Sequence, residues 1–261
     1  MEESILLVGC GNMGSALVRG LCRDHWHKKF RFLLYDAVEE KSAQLAQELK
    51  LESVKDMEGI SPHFLILAVK PKDVEVAFKI VNKFPQAIIL SVVAGVNIHS
   101  LTQLFAHGGK IVRLMPNLCV EVGEGVVPIS FSDALHSTEK EEILFLLSSL
   151  GWVLEVEERY LDYFTVLSGS GPALVALFIE GMMDAGVEMG IPWETSFKVA
   201  LQTVLGTASL LKDKELHPAY FKNLVASPGG ITIAGVRALK RHGFEGIVME
   251  GFREAYKRLV G

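Results

Sequence analysis

The stretch ILLVGCGNMGSALVRGL, residues 5–21, constrains this chain more than any other. An apolar run stops at Gly9, Gly11 and Gly14, spaced GxGxxG, and apolar residues then resume at helical intervals. That pattern is a strand, a tight turn and a helix. Gly9 permits the turn, Gly11 lets the backbone approach a pyrophosphate, and Gly14 lets the helix lie close on the strand. The first helical amides then face the anion. The motif nominates Val8, Gly9, Cys10, Gly11, Asn12, Met13 and Gly14 as a dinucleotide cradle. A glycine-rich turn that binds nothing is the plain alternative.

The rest of the first half keeps the same rhythm. RFLLYD, HFLILAVKP, AIILSVVAG and KIVRLMP are short apolar runs separated by helical patterns, among them Glu39 to Leu49. Alternation of this kind builds βαβ units around a largely parallel sheet, and fully apolar strands mean that both faces are covered. GEGVVPISF and WVLEVE read as added edge strands, flanking a helix that Thr138 and Glu141 can start as a capping box. The expected architecture is α/β: a doubly wound, Rossmann-type domain over residues 1–157, followed by an all-α domain over 158–261.

Ligands of doubly wound sheets bind at the carboxyl rim of the strands, which nominates the residues just after each run. Asp36 lies 22 positions after Gly14, near the spacing of an acid that accepts from a ribose 2'-hydroxyl. Its charge repels a 2'-phosphate and so favours NADH over NADPH, although Arg31 or Lys41 can still reach such a phosphate. A helix cap is the other reading of Asp36. Ala68, Val69, Lys70 and Pro71, then Val93 and Ala94, then Met115, Pro116 and Asn117 occupy the later turns. Lys70 is either a phosphate or ribose contact or a solvated loop lysine. Met115, Pro116 and Asn117 can wall the nicotinamide side, and Pro116 can equally end a strand.

After Arg159 the strand patterns cease, and helices punctuated by prolines and glycines run to the end. Gly181, Gly186, Gly190 and Gly206 fall within or beside these helices, which implies close helix contact. Apolar residues make up 49% of the chain, and the surplus over a monomer's needs points to a subunit interface. The uncharged run from Tyr163 to Ile179 is shorter than the roughly 20 apolar residues of a spanning helix. Between two apolar runs stands SPGG, residues 227–230. Two glycines at a helix start free backbone amides to converge on an anion such as a carboxylate. A plain turn between helices is the alternative.

SGSGPALVALFIEGMMDAGVEMGIP, ALQTVLG, HPAYFKNLVASPGGITIAG and the terminal GF...R, together with VGCGNMG, AVKP, VAGV and MPN in order, resemble the pyrroline-5-carboxylate reductase family. The resemblance covers nearly the whole chain. It implies a Rossmann domain, a helical domain forming an intertwined homodimer, often assembled into a ring of dimers, and reduction of 1-pyrroline-5-carboxylate to L-proline by NADPH or NADH. Residue by residue, it implies that Ser227 and the amides of Gly229, Gly230 and Ile231 hold the substrate carboxylate. Thr232 would hydrogen-bond the ring nitrogen. Glu158 matches a substrate-proximal acid in some members, against the reading of a solvated charge, and Thr165 is a weaker candidate. Leu224 stands where some members have a polar cofactor contact. Cys119, Lys72 and Ile231 depart from the more frequent Pro, Gln and Thr.

The formal net charge of −5, with no stripe of Lys and Arg, argues against a nucleic-acid partner. Three cysteines without a CxxC pair and eight histidines without metal spacing suggest a reduced, metal-free protein, and MEESILLVG lacks a signal-peptide pattern. A cytoplasmic enzyme with no membrane partner is expected. One rival is another two-domain imine or hydroxyacid oxidoreductase. Its hydroxyacid branch is disfavoured because SGSGPALVALFIEG carries no lysine. The other rival is a non-catalytic dinucleotide sensor.

Overall fold

The computed structural model describes residues 3–105 and 109–260, so residues 1, 2 and 261 at the ends of the two expected domains lie outside the described part. The chain divides into two compact units, Met1–Gly169 and Ser170–Gly261. The first holds eight strands: β1 (Ser4–Val8), β2 (Arg31–Tyr35), β3 (Glu52–Ser53), β4 (Phe64–Leu67), β5 (Ile88–Ser91), β6 (Ile111–Leu114), β7 (Gly125–Phe131) and β8 (Gly151–Glu155). They form one sheet in the order β3-β2-β1-β4-β5-β6-β7-β8. Neighbours pair in parallel except β6 with β7. The order reverses between β1 and β4, the switch point of a doubly wound sheet. As expected, β7 and β8 extend one edge.

The helices of this unit are α1 (Asn12–Arg23), α2 (Glu39–Leu49), α3 (Val74–Val81), α4 (Ile98–Leu104), α5 (Ser137–Ser148) and α6 (Leu161–Phe164). Every residue of β1, β4, β5 and β6 is buried, because helices cover both faces. One apolar cluster gathers Leu17 and Leu21 of α1, Leu45 of α2 and Ile143 and Leu147 of α5 against one face. The other gathers Val74 and Phe78 of α3 and Leu101 of α4. The strand residues alternate between the two clusters, Ile5 and Leu7 in one and Leu6 and Val8 in the other.

Helix α2 has the bounds that its periodicity predicts, with Glu39 and Glu40 in its first turn. The cap of α5 lies two residues earlier than expected. His136 is the N-cap and Glu139 closes the box, accepting from the His136 N–H at 3.0 Å, in place of Thr138 and Glu141. The helix starts at Ser137, so Thr138 is already inside it. Glu139 is also held from outside by Lys110, a partner that no local pattern reveals.

A π turn over Thr165–Gly169 follows α6. The second unit is wholly helical: α7 (Gly171–Glu188), α8 (Trp193–Asp213), α9 (Pro218–Val225), α10 (Ile231–Arg241) and α11 (Phe244–Val260). At Gly186 a side chain would meet Ser196 of α8, its Cβ 2.6 Å from the Oγ, so α7 and α8 pack closely there. Among the described residues of this unit, Ala200 is the only apolar side chain fully buried. Leu177 is 64% exposed and Met249 61%. A core of that size does not stabilise five helices, so this unit needs a further surface to cover it.

Candidate active site

The turn after β1 is built by backbone conflict. Gly9 has φ +106°, and a Cβ there would lie 2.5 Å from the Ala68 carbonyl oxygen at the end of β4. A Cβ on Gly14 would lie 2.1 Å from the Gly9 carbonyl oxygen. Gly11 is different: among the described residues a Cβ there would meet nothing within 4 Å. Two glycines therefore let the turn and α1 close, and the third leaves open space in front of them.

That space suits an anion. Gly11 is the N-cap of α1, makes no side-chain capping bond, and is followed by no acid in the first turn. The free amides and positive pole of a helix of 12 residues thus face outward, and a phosphate there is favoured by direct N–H donation and by the dipole. The residues present fit the pyrophosphate of a dinucleotide.

Asp36 stands beside this turn, and two backbone amides bond to its carboxylate. Its Oδ2 accepts from the Cys10 N–H at 2.7 Å and its Oδ1 from the Val38 N–H at 2.9 Å. The carboxylate fixes the glycine turn and the start of α2 together, while each oxygen keeps a lone pair for a hydroxyl. Burial, with the Asp36 charge adding to it, pushes the Cys10 thiol up to about 12, so it stays protonated and inert. Arg31 is at the far end of β2, bonded to Glu52 at 2.6 Å. With about 3.3 Å of rise per residue it is too distant to reach a phosphate beside Asp36.

The other rim residues follow adjacent strand ends. Ala68 and Val69 continue β4, where the Ala68 N–H donates to the Val8 carbonyl at 2.8 Å, and Val93 and Ala94 follow β5. Lys70 is exposed at the head of the 3-10 turn Pro71–Asp73. Met115, Pro116 and Asn117 are buried beyond β6. The Asn117 side chain is engaged within the fold: its Nδ2 donates to the Ser168 carbonyl at 3.0 Å and its Oδ1 accepts from the Val126 N–H at 3.3 Å.

Glu158 is neither a free surface charge nor isolated. Its Oε1 accepts from the Ile98 N–H at 2.6 Å and pairs with Arg113 at 3.4 Å. Thr165 donates to the Leu161 carbonyl inside the helical run at 3.2 Å. A cavity of about 770 Å³ in the same unit is lined by Ile98, Thr102, Ser130, Asp133 and Glu155, and of the nominated residues it holds Glu158 alone. Glu3, His63 and Glu142 bring possible ligand atoms within 4.8 Å of one another at the opposite, amino-terminal edge of the strands. No sequence spacing exposes that group, because three separate elements supply it.

In the second unit SPGG forms a turn between α9 and α10. Gly229 has φ +68°, the left-handed region that a side chain disfavours, and the Gly230 N–H donates to the Ser227 carbonyl at 3.1 Å. Gly230 caps α10 without a side-chain bond, and the first turn holds no acid. Ile231 is 93% exposed, leaving the helix start open, and Thr232 occupies the second helical position. The amides that open α10 thus present a second anion-seeking pole.

Comparison with known proteins agrees with both halves. Residues 158–260 match the model described as pyrroline-5-carboxylate reductase dimerisation, and residues 4–95 match that of the coenzyme F420-dependent NADP oxidoreductases. The pyrroline-5-carboxylate reductase of Aquifex aeolicus is 39% identical over 94% of this chain and 91% of its own. That of Escherichia coli is 29% identical over 99% and 97%. The crystal structure of Plasmodium falciparum pyrroline carboxylate reductase with NADP bound superposes with a TM-score of 0.86 at 29% identity, covering 99% of this chain and 98% of that one. With the doubly wound sheet, the open glycine turn and the SPGG pole already placed, these matches show that the chain belongs to the pyrroline-5-carboxylate reductase family.

Proposed function

We infer that the chain reduces the C=N bond of 1-pyrroline-5-carboxylate to give L-proline, and we propose roles for its residues in that reaction. The observation that carries the reading is the pair of uncapped helix starts, one behind Gly11 and one behind Gly230, within a chain of this family. A bound NADPH or NADH supplies the hydride. The turn from Val8 to Gly14 would hold its pyrophosphate, Asp36 would bind its ribose, and the rim residues from Ala68 to Pro71, Val93, Ala94 and Met115 to Asn117 would hold the remainder. In the segment from Glu158 onward, Ser227 and the amides of Gly229 to Ile231 take the substrate carboxylate. The Thr232 hydroxyl would hydrogen-bond the ring nitrogen as hydride adds to carbon and the C=N π electrons move onto nitrogen, which takes its proton from water to become the amine. The helix pole at α10 contributes roughly 0.3–1 kcal/mol to carboxylate capture, and the larger benefit is orientation of the ring.

The test is dinucleotide oxidation with 1-pyrroline-5-carboxylate, run with NADH and NADPH in parallel. Rapid loss of absorbance with the imine is expected, and loss that needs no imine would sink the reading. The Asp36 carboxylate supports NADH as the preferred donor. Asp36→Asn therefore raises the ratio of kcat/KM for NADPH over NADH, by about tenfold if one repulsive contact of about 1.4 kcal/mol is relieved. A ratio that does not move takes the preference away from Asp36.

The second unit's bare surface supports a homodimer. The helical run Glu158–Glu188 spans 31 residues and is, by length and composition, long and apolar enough to cross a membrane, with 6% of its most apolar window buried. It exceeds the uncharged Tyr163–Ile179 stretch because it takes in the charged residues on either side. A second copy of this chain is the partner that its family's dimerisation segment fits, and rings of such dimers are a further step of the same assembly. Leu177→Arg on α7 is expected to yield monomer in sedimentation velocity. An unchanged dimer would place the interface elsewhere. The free thiols Cys10, Cys22 and Cys119 suit a reducing compartment, and we assign the chain to the cytoplasm.

A further inference from the structure

We propose that Arg113 is a positioning residue that, through Glu158 and Asp162, fixes the part of the strand rim where the dinucleotide binds; this rests on the reading of that rim given above. Arg113 lies in β6, level with Ser91 of β5 and Ser130 of β7, and only 2% of it is exposed. Its Nη2 donates to Asp162 Oδ1 at 2.6 Å and its Nη1 to Glu158 Oε1 at 3.4 Å. Its Nε is buried and has no hydrogen-bond partner among the described residues.

Such an arrangement is a poor way to add stability. A buried ion cluster is commonly no more stable than apolar side chains of the same volume, and an orphaned donor makes it worse. What the cluster does provide is fixed geometry, because a guanidinium is a planar fork whose donors set the direction of each acceptor.

Three segments meet at that fork. β6 itself runs on into Met115, Pro116 and Asn117. Glu158 Oε1, held by Arg113, also accepts from the Ile98 N–H at the first position of α4, and so anchors the far end of the Val93–Ala94 turn. Asp162 belongs to α6, and the π turn after it is tied back to the rim by the Asn117 bond to Ser168. One buried cation thus sets the spacing of two rim turns from the helical lead-in. Glu158 then acts through Arg113 and Ile98 without touching substrate.

The experiment is dinucleotide titration in the absence of imine, followed by steady-state kinetics, on Asp162→Asn, Glu158→Gln and Arg113→Lys. Asp162 is 44% exposed, so its variant is expected to fold even if Arg113→Lys does not. Each variant should weaken the dinucleotide Kd by roughly tenfold, as a small misplacement of a binding turn does. At saturating dinucleotide the KM for the imine should stay within about twofold, and Arg113→Lys/Asp162→Asn should be no worse than the poorer single variant. A lowered Tm with an unchanged dinucleotide Kd would make the cluster merely structural and overturn the proposal. So would a raised imine KM with unchanged dinucleotide Kd in Glu158→Gln, which would return Glu158 to the substrate. Failure of the unaltered chain to bind either dinucleotide would instead remove the reading of the rim itself.

Discussion

Thr232→Val is expected to lower kcat about a hundredfold and to leave the dinucleotide Kd within about twofold of its starting value. The substitution keeps the side chain's shape and removes only the hydroxyl. Thr232 is the second residue of α10 and partly exposed, so no core contact is lost and the helix persists. The missing donor matters chiefly when charge develops on the ring nitrogen, which is why kcat moves more than the KM for the imine. Stopped-flow measurement of hydride transfer, with the Kd from fluorescence titration, checks both halves. A variant that is folded and turns over at the full rate would leave the hydroxyl without a role in the chemistry.

The second large effect separates two glycines three residues apart. Gly11→Val is expected to fold normally and to lose dinucleotide affinity by at least about a hundredfold. Its Cβ would enter the open space before α1, where none of the described residues lies within 4 Å, so the fold should tolerate it. The same side chain blocks backbone approach to the pyrophosphate. Loss of two amide–phosphate bonds, each about 1.5 kcal/mol or more, accounts for the magnitude. Gly14→Val should instead fail to fold or unfold far more easily, because its Cβ would stand 2.1 Å from the Gly9 carbonyl oxygen in the main chain. Circular dichroism melts and dinucleotide titration on the two variants distinguish these fates. Equal stability in both would show that the turn can open to admit a side chain at Gly14.

Much of the first unit was legible because its information is local. Apolar runs with period two or none, the GxGxxG turn and the helical stretch of α2 each declare themselves within a window of a dozen residues, and the sheet order then follows from right-handed crossovers. The uncapped helix start behind SPGG was visible for the same reason: Gly229 can take the left-handed turn and neither glycine supplies a side-chain cap, whatever surrounds them. The long apolar helices of the second unit announced a missing partner by composition alone.

What the chain alone left undecided depends on residues far apart along it. Glu158 meets Ile98 across 60 positions and Arg113 across 45, so no spacing rule marks it as an anchor. Asp36 reaches Cys10 across 26 positions, so its hold on the glycine turn is not legible in any local pattern. The cap of α5 lies at His136 and Glu139, and that glutamate is also held by Lys110, which precedes β6. The sequence by itself determined the doubly wound sheet, the helical second unit and the two anion-seeking helix starts, since backbone sterics and hydrophobic period act on neighbours in the chain. Tertiary structure decided which charges serve as clamps, because pairing energy depends on distance in space and on burial.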